Sequence, residues 1–134
     1  YKSRVKWLSR MTQKELVGIY KIADLFLLAS DYEIYGMVIL ESMYWKVPVL
    51  STATGGGVAI IRNNENGWII DSFSLQDWVN KIEKIFSDSF SYNSIVETAY
   101  RDVVEKYTWE HISSNFMRLY NTAIQNQNHA GKMK

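Results

Sequence analysis

Five apolar residues in unbroken succession, Leu25 to Ala29 (LFLLA), closed off by Asp24 on one side and by Ser30 and Asp31 on the other, constrain this chain most. A strand with one wet face alternates apolar and polar residues, whereas a short run apolar at every position fits a strand covered on both faces, as in a parallel sheet. Parallel strands need crossover connections, so the flanking segments should be helical. They read that way. Thr12, with Glu15 three residues on, forms a capping box ahead of Leu16, Ile19 and Tyr20 at helical spacing. After the apolar run, Gly36 to Tyr44 (GMVILESMY) spaces Met37, Leu40, Met43 and Tyr44 along one face of a second helix.

The same alternation continues in both directions. Val5, Trp7 and Leu8 predict a short strand before the first helix. Val47, Val49 and Leu50 predict another around Pro48, which fits only near the first residue because it cannot donate to a ladder. Val58 to Arg62 reads as a helical turn, Asn66 and Gly67 as a turn, and Trp68 to Ile70 as a short strand. Ser74 caps a helix bearing Leu75, Trp78, Val79, Ile82, Ile85 and Phe86, and helical spacing persists over 92–107 and 110–124. From Gln125 the chain turns polar (QNQNHAGKMK) and is expected to fray, leaving 125–134 as a disordered end. Strand and helix thus alternate through residue 86, which predicts an α/β fold with a Rossmann-like parallel sheet, flanking helices and a helical tail.

Composition narrows the function classes. The chain has 134 residues, 47% hydrophobic and 22% charged, which is the size and mix of one globular domain. Its net charge of +1 lacks the excess a phosphate-backbone binder needs, so nucleic acid is not an expected partner. Without Cys and with two His, thiolate catalysis and Cys-ligated metal sites are excluded, and no metal site is expected. The longest apolar stretch, Ala23 to Ser30, is far short of the roughly 20 residues of a membrane span, so no transmembrane segment is expected. The chain starts at Tyr1 without a signal-peptide pattern, and the expectation is a fragment.

Ligands of such sheets gather at the carboxyl ends of the strands. The loop after Leu25 to Ala29, reading ASDYEIYGMVILE, combines carboxylates, a glycine and a helix start. A helix beginning near Gly36 presents unpaired N–H groups and a positive dipole end, which suit a diphosphate. Glu33 lies just before that end, and Glu41 lies about 7.5 Å beyond Gly36 along the axis at ~1.5 Å per residue. Two acceptors flanking an anion site suit a nucleotide sugar, because carboxylates accept charge-assisted hydrogen bonds from sugar hydroxyls while repelling phosphates. Spacing alone leaves open a solvated loop residue at position 33 and a surface helix residue at position 41.

The run ADLFLLASDYEIYGMVILESMYWKVPVLSTATGGGVAIIRNNENGWII resembles the C-terminal, nucleotide-sugar-binding domain of retaining GT-B glycosyltransferases of family 4, the glycosyl transferases group 1 family. Glu33 and Glu41 match its E-x7-E motif, Ser30 matches the small residue before it, and Pro48, Gly55, Gly56, Asn66 and Gly67 fall where the family places them. The resemblance implies transfer of a sugar from a nucleotide diphosphate with retention, in polysaccharide or glycolipid synthesis. Catalytic and sugar contacts are implied for Glu33, diphosphate contacts for the N–H groups of Tyr35, Gly36, Met37 and Val38, and ribose contacts for Glu41. Gly55 and Gly56 would line the same cleft. No cofactor beyond the donor substrate and no metal are implied. Residues 1–124 would be part of the donor domain, with an N-terminal acceptor domain missing. The glycan or lipid-linked acceptor would bind that missing domain. The implied location is cytoplasmic, with peripheral association at the inner face of the membrane. Apolar surface would be exposed at the truncated sheet edge.

The departures are specific. Ile34 stands where the family usually has Gly, Ala59 where it usually has Glu, and Lys46 where a helix-ending Gly is common. Arg62, Lys46 and Arg10 are candidate cations beside the ligand, with surface solvation as the alternative for each. His111 reads as packed or solvated. The dense aromatics read as core and hinge packing, with Tyr44 and Trp45 as an exposed pair for a partner domain. Gly55 to Gly57 is neither a Walker loop nor a dinucleotide fingerprint, since no Lys with Ser or Thr follows and the GxGxxG spacing is absent. Two other functions stay open: a GT-B nucleotide-sugar epimerase and a non-catalytic flavodoxin-like interaction module.

Overall fold

A computed structural model describes residues 2–130. After a 3-10 turn at Lys2–Arg4, the elements run α1 (Gln13–Tyr20), β1 (Phe26–Leu28), α2 (Met37–Tyr44), β2 (Val49–Thr52), α3 (Gly55–Ile60), β3 (Trp68–Ile70), α4 (Leu75–Ser87), α5 (Ser89–Lys106) and α6 (Trp109–Ala130). The three strands are parallel in the order β1-β2-β3, with Leu27 opposite Leu50 and Ser51 opposite Ile69. The predicted architecture of parallel sheet, flanking helices and helical tail is the one observed.

The central strand explains the two cores. Adjacent residues of a strand face opposite sides of the sheet. Val49 packs with Ile39 and Met43 of α2, Ile60 and Ile61 at the end of α3, and Ala99 and Val103 of α5. Leu50 packs on the other side with Trp68, Trp78 and Ile85 of α4, and Ile95. Pro48 stands just outside β2, where its carbonyl accepts from the Phe26 amide and its missing donor costs no ladder bond.

Local chemistry fixes the helix ends that matter. The capping box at Thr12 forms as predicted: Thr12 Oγ1 accepts from the Glu15 amide while Glu15 Oε2 accepts from the Thr12 amide at 2.8 Å. Helix α2 ends in a Schellman arrangement, with the Lys46 amide donating to the Met43 carbonyl and the Val47 amide to the Ser42 carbonyl. Lys46 takes the left-handed conformation this requires, at φ 58°.

A buried carboxylate ties the turn before β3 to α5. Asp102 accepts from Arg62 Nη2 at 2.7 Å, Asn66 Nδ2 at 3.0 Å and Lys106 Nζ at 2.5 Å. Asn66, itself fully buried, also accepts from the Arg62 amide and donates to the Ile60 carbonyl. Burial raises the Asp102 pKa, but the hydrogen bonds from Lys106, Arg62 and Asn66 outweigh it and hold the carboxyl below its ordinary value.

Several expectations need correction. Val5, Trp7 and Leu8 form no strand and are exposed, because no neighbouring strand among the described residues satisfies their backbone groups. The run at 25–29 supplies only three strand residues, and Leu27 is 46% exposed, since β1 is the edge of the sheet and pairs on one side. The buried face of α2 is Ile39, Ser42 and Met43, while Met37 and Tyr44 are exposed. The three glycines open α3, earlier than the turn predicted from Val58. Helix α6 runs through Ala130, past Gln125 where the polar segment begins; residues 131–134 lie outside the described residues. Trp109 and Tyr120 are exposed rather than packed. Among the described residues, no helix is long and apolar enough to cross a membrane.

Candidate functional site

The carboxyl end of β1 feeds the segment 30–36, which is pinned at three points. Thr52, just past the register of β1 and β2, donates its hydroxyl to the Ser30 carbonyl at 2.5 Å and accepts from the Ser30 amide at 3.2 Å. The Gly56 amide donates to the Glu33 carbonyl at 2.7 Å. Glu33 then folds its own carboxylate back: Oε1 accepts from the amides of Tyr35, at 3.1 Å, and Gly36, at 3.0 Å.

Gly36 is the N-cap of α2 and lies at φ 65°. A Cβ there would meet Ile60 Cδ1 at 2.8 Å and the Gly56 carbonyl at 3.2 Å, so both the turn and the packing require glycine. A Cβ on Gly56 would approach the Gly36 nitrogen to 2.8 Å and Glu33 Cγ to 3.1 Å. Gly55 stands farther off, 3.6 Å from the Glu33 carbonyl by the same measure. The start of α3 is therefore pressed against the loop that precedes α2, with Gly56 closest to Glu33 and Gly36.

The family resemblance implies diphosphate contacts for four amides, those of Tyr35, Gly36, Met37 and Val38. The Glu33 carboxylate already occupies the first two. Those of Met37 and Val38 have no acceptor among the described residues, and they sit at the positive end of α2. Around this end, Tyr32, Ile34, Tyr35 and Met37 are exposed, so the site is an open surface.

Glu41 lies one turn into α2 and leans toward α1. Its Oε2 accepts from the Tyr20 hydroxyl at 3.3 Å, and its Oε1 lies 3.5 Å from Gln13 Nε2. Burial, and secondarily the Glu41 charge with its hydrogen bond, pushes the Tyr20 pKa up to about 12. The sequence reading missed both partners of Glu41, although Gln13 and Tyr20, seven residues apart, share one face of α1.

Two of the three candidate cations, Arg62 and Lys46, are paired with carboxylates, whereas Arg10 is exposed in the segment before α1. Arg62 is tied to Asp102 and Glu65, which raises its pKa, so it is an ion-paired residue and not a free surface charge. Lys46 pairs with Glu97 at 2.7 Å and covers the Tyr100 ring. Tyr44 and Trp45 pack on each other, and Tyr44 also meets Tyr100 of α5 while Lys21 lies over the Trp45 ring, so Tyr44 stays exposed as expected but has a neighbour in α5. His111 is exposed at the start of α6 and its amide donates to Thr108 Oγ1.

The profile of the family described as "Glycosyl transferases group 1" matches residues 1–102. The chain belongs to that family. A probable sucrose-phosphate synthase of Thermosipho melanesiensis is 34% identical over 123 residues, 88% of this chain and 28% of that protein. Among solved structures, the C-terminal domain of a glycosyl transferase group 1 family protein (LpcC) from Francisella tularensis superposes with a TM-score of 0.68 at 28% identity, over 78% of this chain and 53% of that one. Anabaena HepE, solved in complex with UDP-glucose, shares the fold with a TM-score of 0.69 at 21% identity, over 78% of this chain and 29% of that one. The chain of this family member thus spans little more than a quarter of the curated relative's length.

Proposed function

We propose that this chain is the donor-binding part of a retaining family 4 glycosyltransferase, corresponding to part of the C-terminal domain of a GT-B fold. Its substrate is a nucleoside diphosphate sugar, and the sugar passes to a glycan or lipid-linked acceptor held by a separate N-terminal domain, in the cytoplasm or at the inner face of the membrane. The observation that carries the reading is the pair of open amides, Met37 and Val38, at the N-terminus of α2, with one carboxylate before them and another behind.

Each group then has a task. The Met37 and Val38 amides and the helix end receive the diphosphate. As the bond from the anomeric carbon to the diphosphate oxygen breaks, that oxygen gains negative charge, and fixed donors stabilise it without reorganising. Glu33, held by two backbone amides, keeps Oε2 for hydroxyls of the transferred sugar, and Glu41 accepts from the ribose. Gly55 and Gly56 let the start of α3 close against the loop. The HepE complex with UDP-glucose and the sucrose-phosphate synthase relative support a donor of this class.

Calorimetric titration of the full-length gene product with UDP, GDP and ADP tests the reading. One of the three binds, and Glu41→Ala weakens it by about 1–3 kcal/mol as a charged acceptor is lost. Absence of binding by all three would refute the donor site.

A further inference from the structure

Glu41 is not a free carboxylate waiting on a helix surface. It is half-buried in the crease between α1 and α2, and both of its oxygens face donors on α1. Tyr20 is the stronger of the two. It is only 9% exposed, its ring packs edge-on against Phe26 at 6.3 Å, and its hydroxyl reaches Glu41 Oε2. Phe26 is the first residue of β1, so Tyr20 is fixed relative to the sheet as well as to α2. Gln13, exposed at the opposite end of α1, approaches the other oxygen.

We propose that Tyr20, assisted by Gln13, is a positioning residue for Glu41, holding its carboxylate in one rotamer so that its remaining lone pairs meet the ribose hydroxyls of the donor. This rests on the reading that Glu41 accepts from the ribose. A glutamate has three rotatable side-chain bonds, and fixing them before the ligand arrives lowers the entropy lost on binding. The hydrogen bond must run from tyrosine to carboxylate, because the phenol stays protonated well above neutral pH. The capping box at Thr12 contributes by fixing the first turn of α1, from which Gln13 extends. Tyr20 touches no substrate in this arrangement and acts only through Glu41.

Dissociation constants for UDP, GDP and ADP and for their 2′,3′-dideoxy analogues separate the possibilities, measured on the full-length gene product carrying Tyr20→Phe, Gln13→Ala or Glu41→Ala. Tyr20→Phe keeps the ring against Phe26 and removes only the hydroxyl. It should weaken the ribonucleotide that binds wild type by about 3- to 10-fold, in line with one lost hydrogen bond, and leave the dideoxy analogue unchanged. Gln13→Ala, at an exposed position that the fold does not need, should do the same to a smaller extent. In a Glu41→Ala background neither change should add anything. Equal weakening of both ligands by Tyr20→Phe, or no weakening of either, would overturn the positioning role while Glu41→Ala still discriminates between them. If Glu41→Ala itself does not discriminate ribonucleotide from dideoxynucleotide, or wild type binds none of the three, the ribose reading fails and this proposal with it.

Discussion

The Gly56 amide donates to the Glu33 carbonyl over 2.7 Å, joining the first turn of α3 to the loop in front of α2. The contact is tight because a Cβ on Gly56 would stand 2.8 Å from the Gly36 nitrogen. Gly56→Ala must therefore push the two helix starts apart. Overpacking of this kind costs about 1–3 kcal/mol, and the loop that carries Glu33 moves with it. Thermal unfolding should register the loss, and binding of the nucleoside diphosphate should weaken beyond what the stability change accounts for. Unaltered stability would contradict this packing.

Gly18 is the opposite case. It sits inside α1, and a Cβ added there would meet nothing within 4 Å, so alanine adds helix propensity without a clash. Gly18→Ala should stabilise the protein by about 0.5–1 kcal/mol, read as a higher denaturation midpoint at unchanged denaturant slope.

Lys46 carries a conformational cost that its side chain partly offsets. At φ 58° its Cβ is strained by roughly 1–2 kcal/mol, whereas its ion pair with Glu97 is exposed and worth at most ~1 kcal/mol. Lys46→Gly should leave stability unchanged or raise it. Lys46→Ala keeps the strain and loses the pair, so it should lower stability. Equal effects of the two substitutions in chemical denaturation would count against the Schellman geometry as the reason.

Asp102 sets an acid limit on the fold. Its folded pKa lies below the ordinary carboxylate value despite burial, so its contribution is complete above about pH 4 and is lost as pH falls through the folded value. Asp102→Asn should cost about 1–3 kcal/mol near pH 7. It should also flatten the fall in stability below about pH 4, a difference that urea denaturation across the acid range will resolve.

How far the sequence anticipates this structure depends on whether a feature is local. The capping box at Thr12 is set by neighbours within one turn and forms where the pattern places it. The strand Trp68–Ile70 and the helix after Ser74 also appear where predicted, although the strand needs β2 to pair with and the Ser74 side chain makes no capping hydrogen bond. The edge position of β1 depends on which strands are present, and an all-apolar run carries no mark of that. Arg62 illustrates the same limit: its partner Asp102 lies forty residues away, so spacing could not distinguish a phosphate ligand from a structural pair. At the candidate site, Glu33, Gly36 and Glu41 are visible as a loop-to-helix motif, but the return of Glu33 onto the Tyr35 and Gly36 amides and the approach of Tyr20 to Glu41 are tertiary facts.

The proposed function requires a nucleoside diphosphate to dock on the N-terminus of α2. Amide hydrogen exchange of the full-length gene product, with and without whichever of UDP, GDP and ADP binds, tests it most directly. Exchange should slow at Met37 and Val38, with Glu33→Ala and Glu41→Ala both reducing that protection at a fixed nucleotide concentration. Binding accompanied by unchanged exchange across 33–41 and protection elsewhere would contradict it.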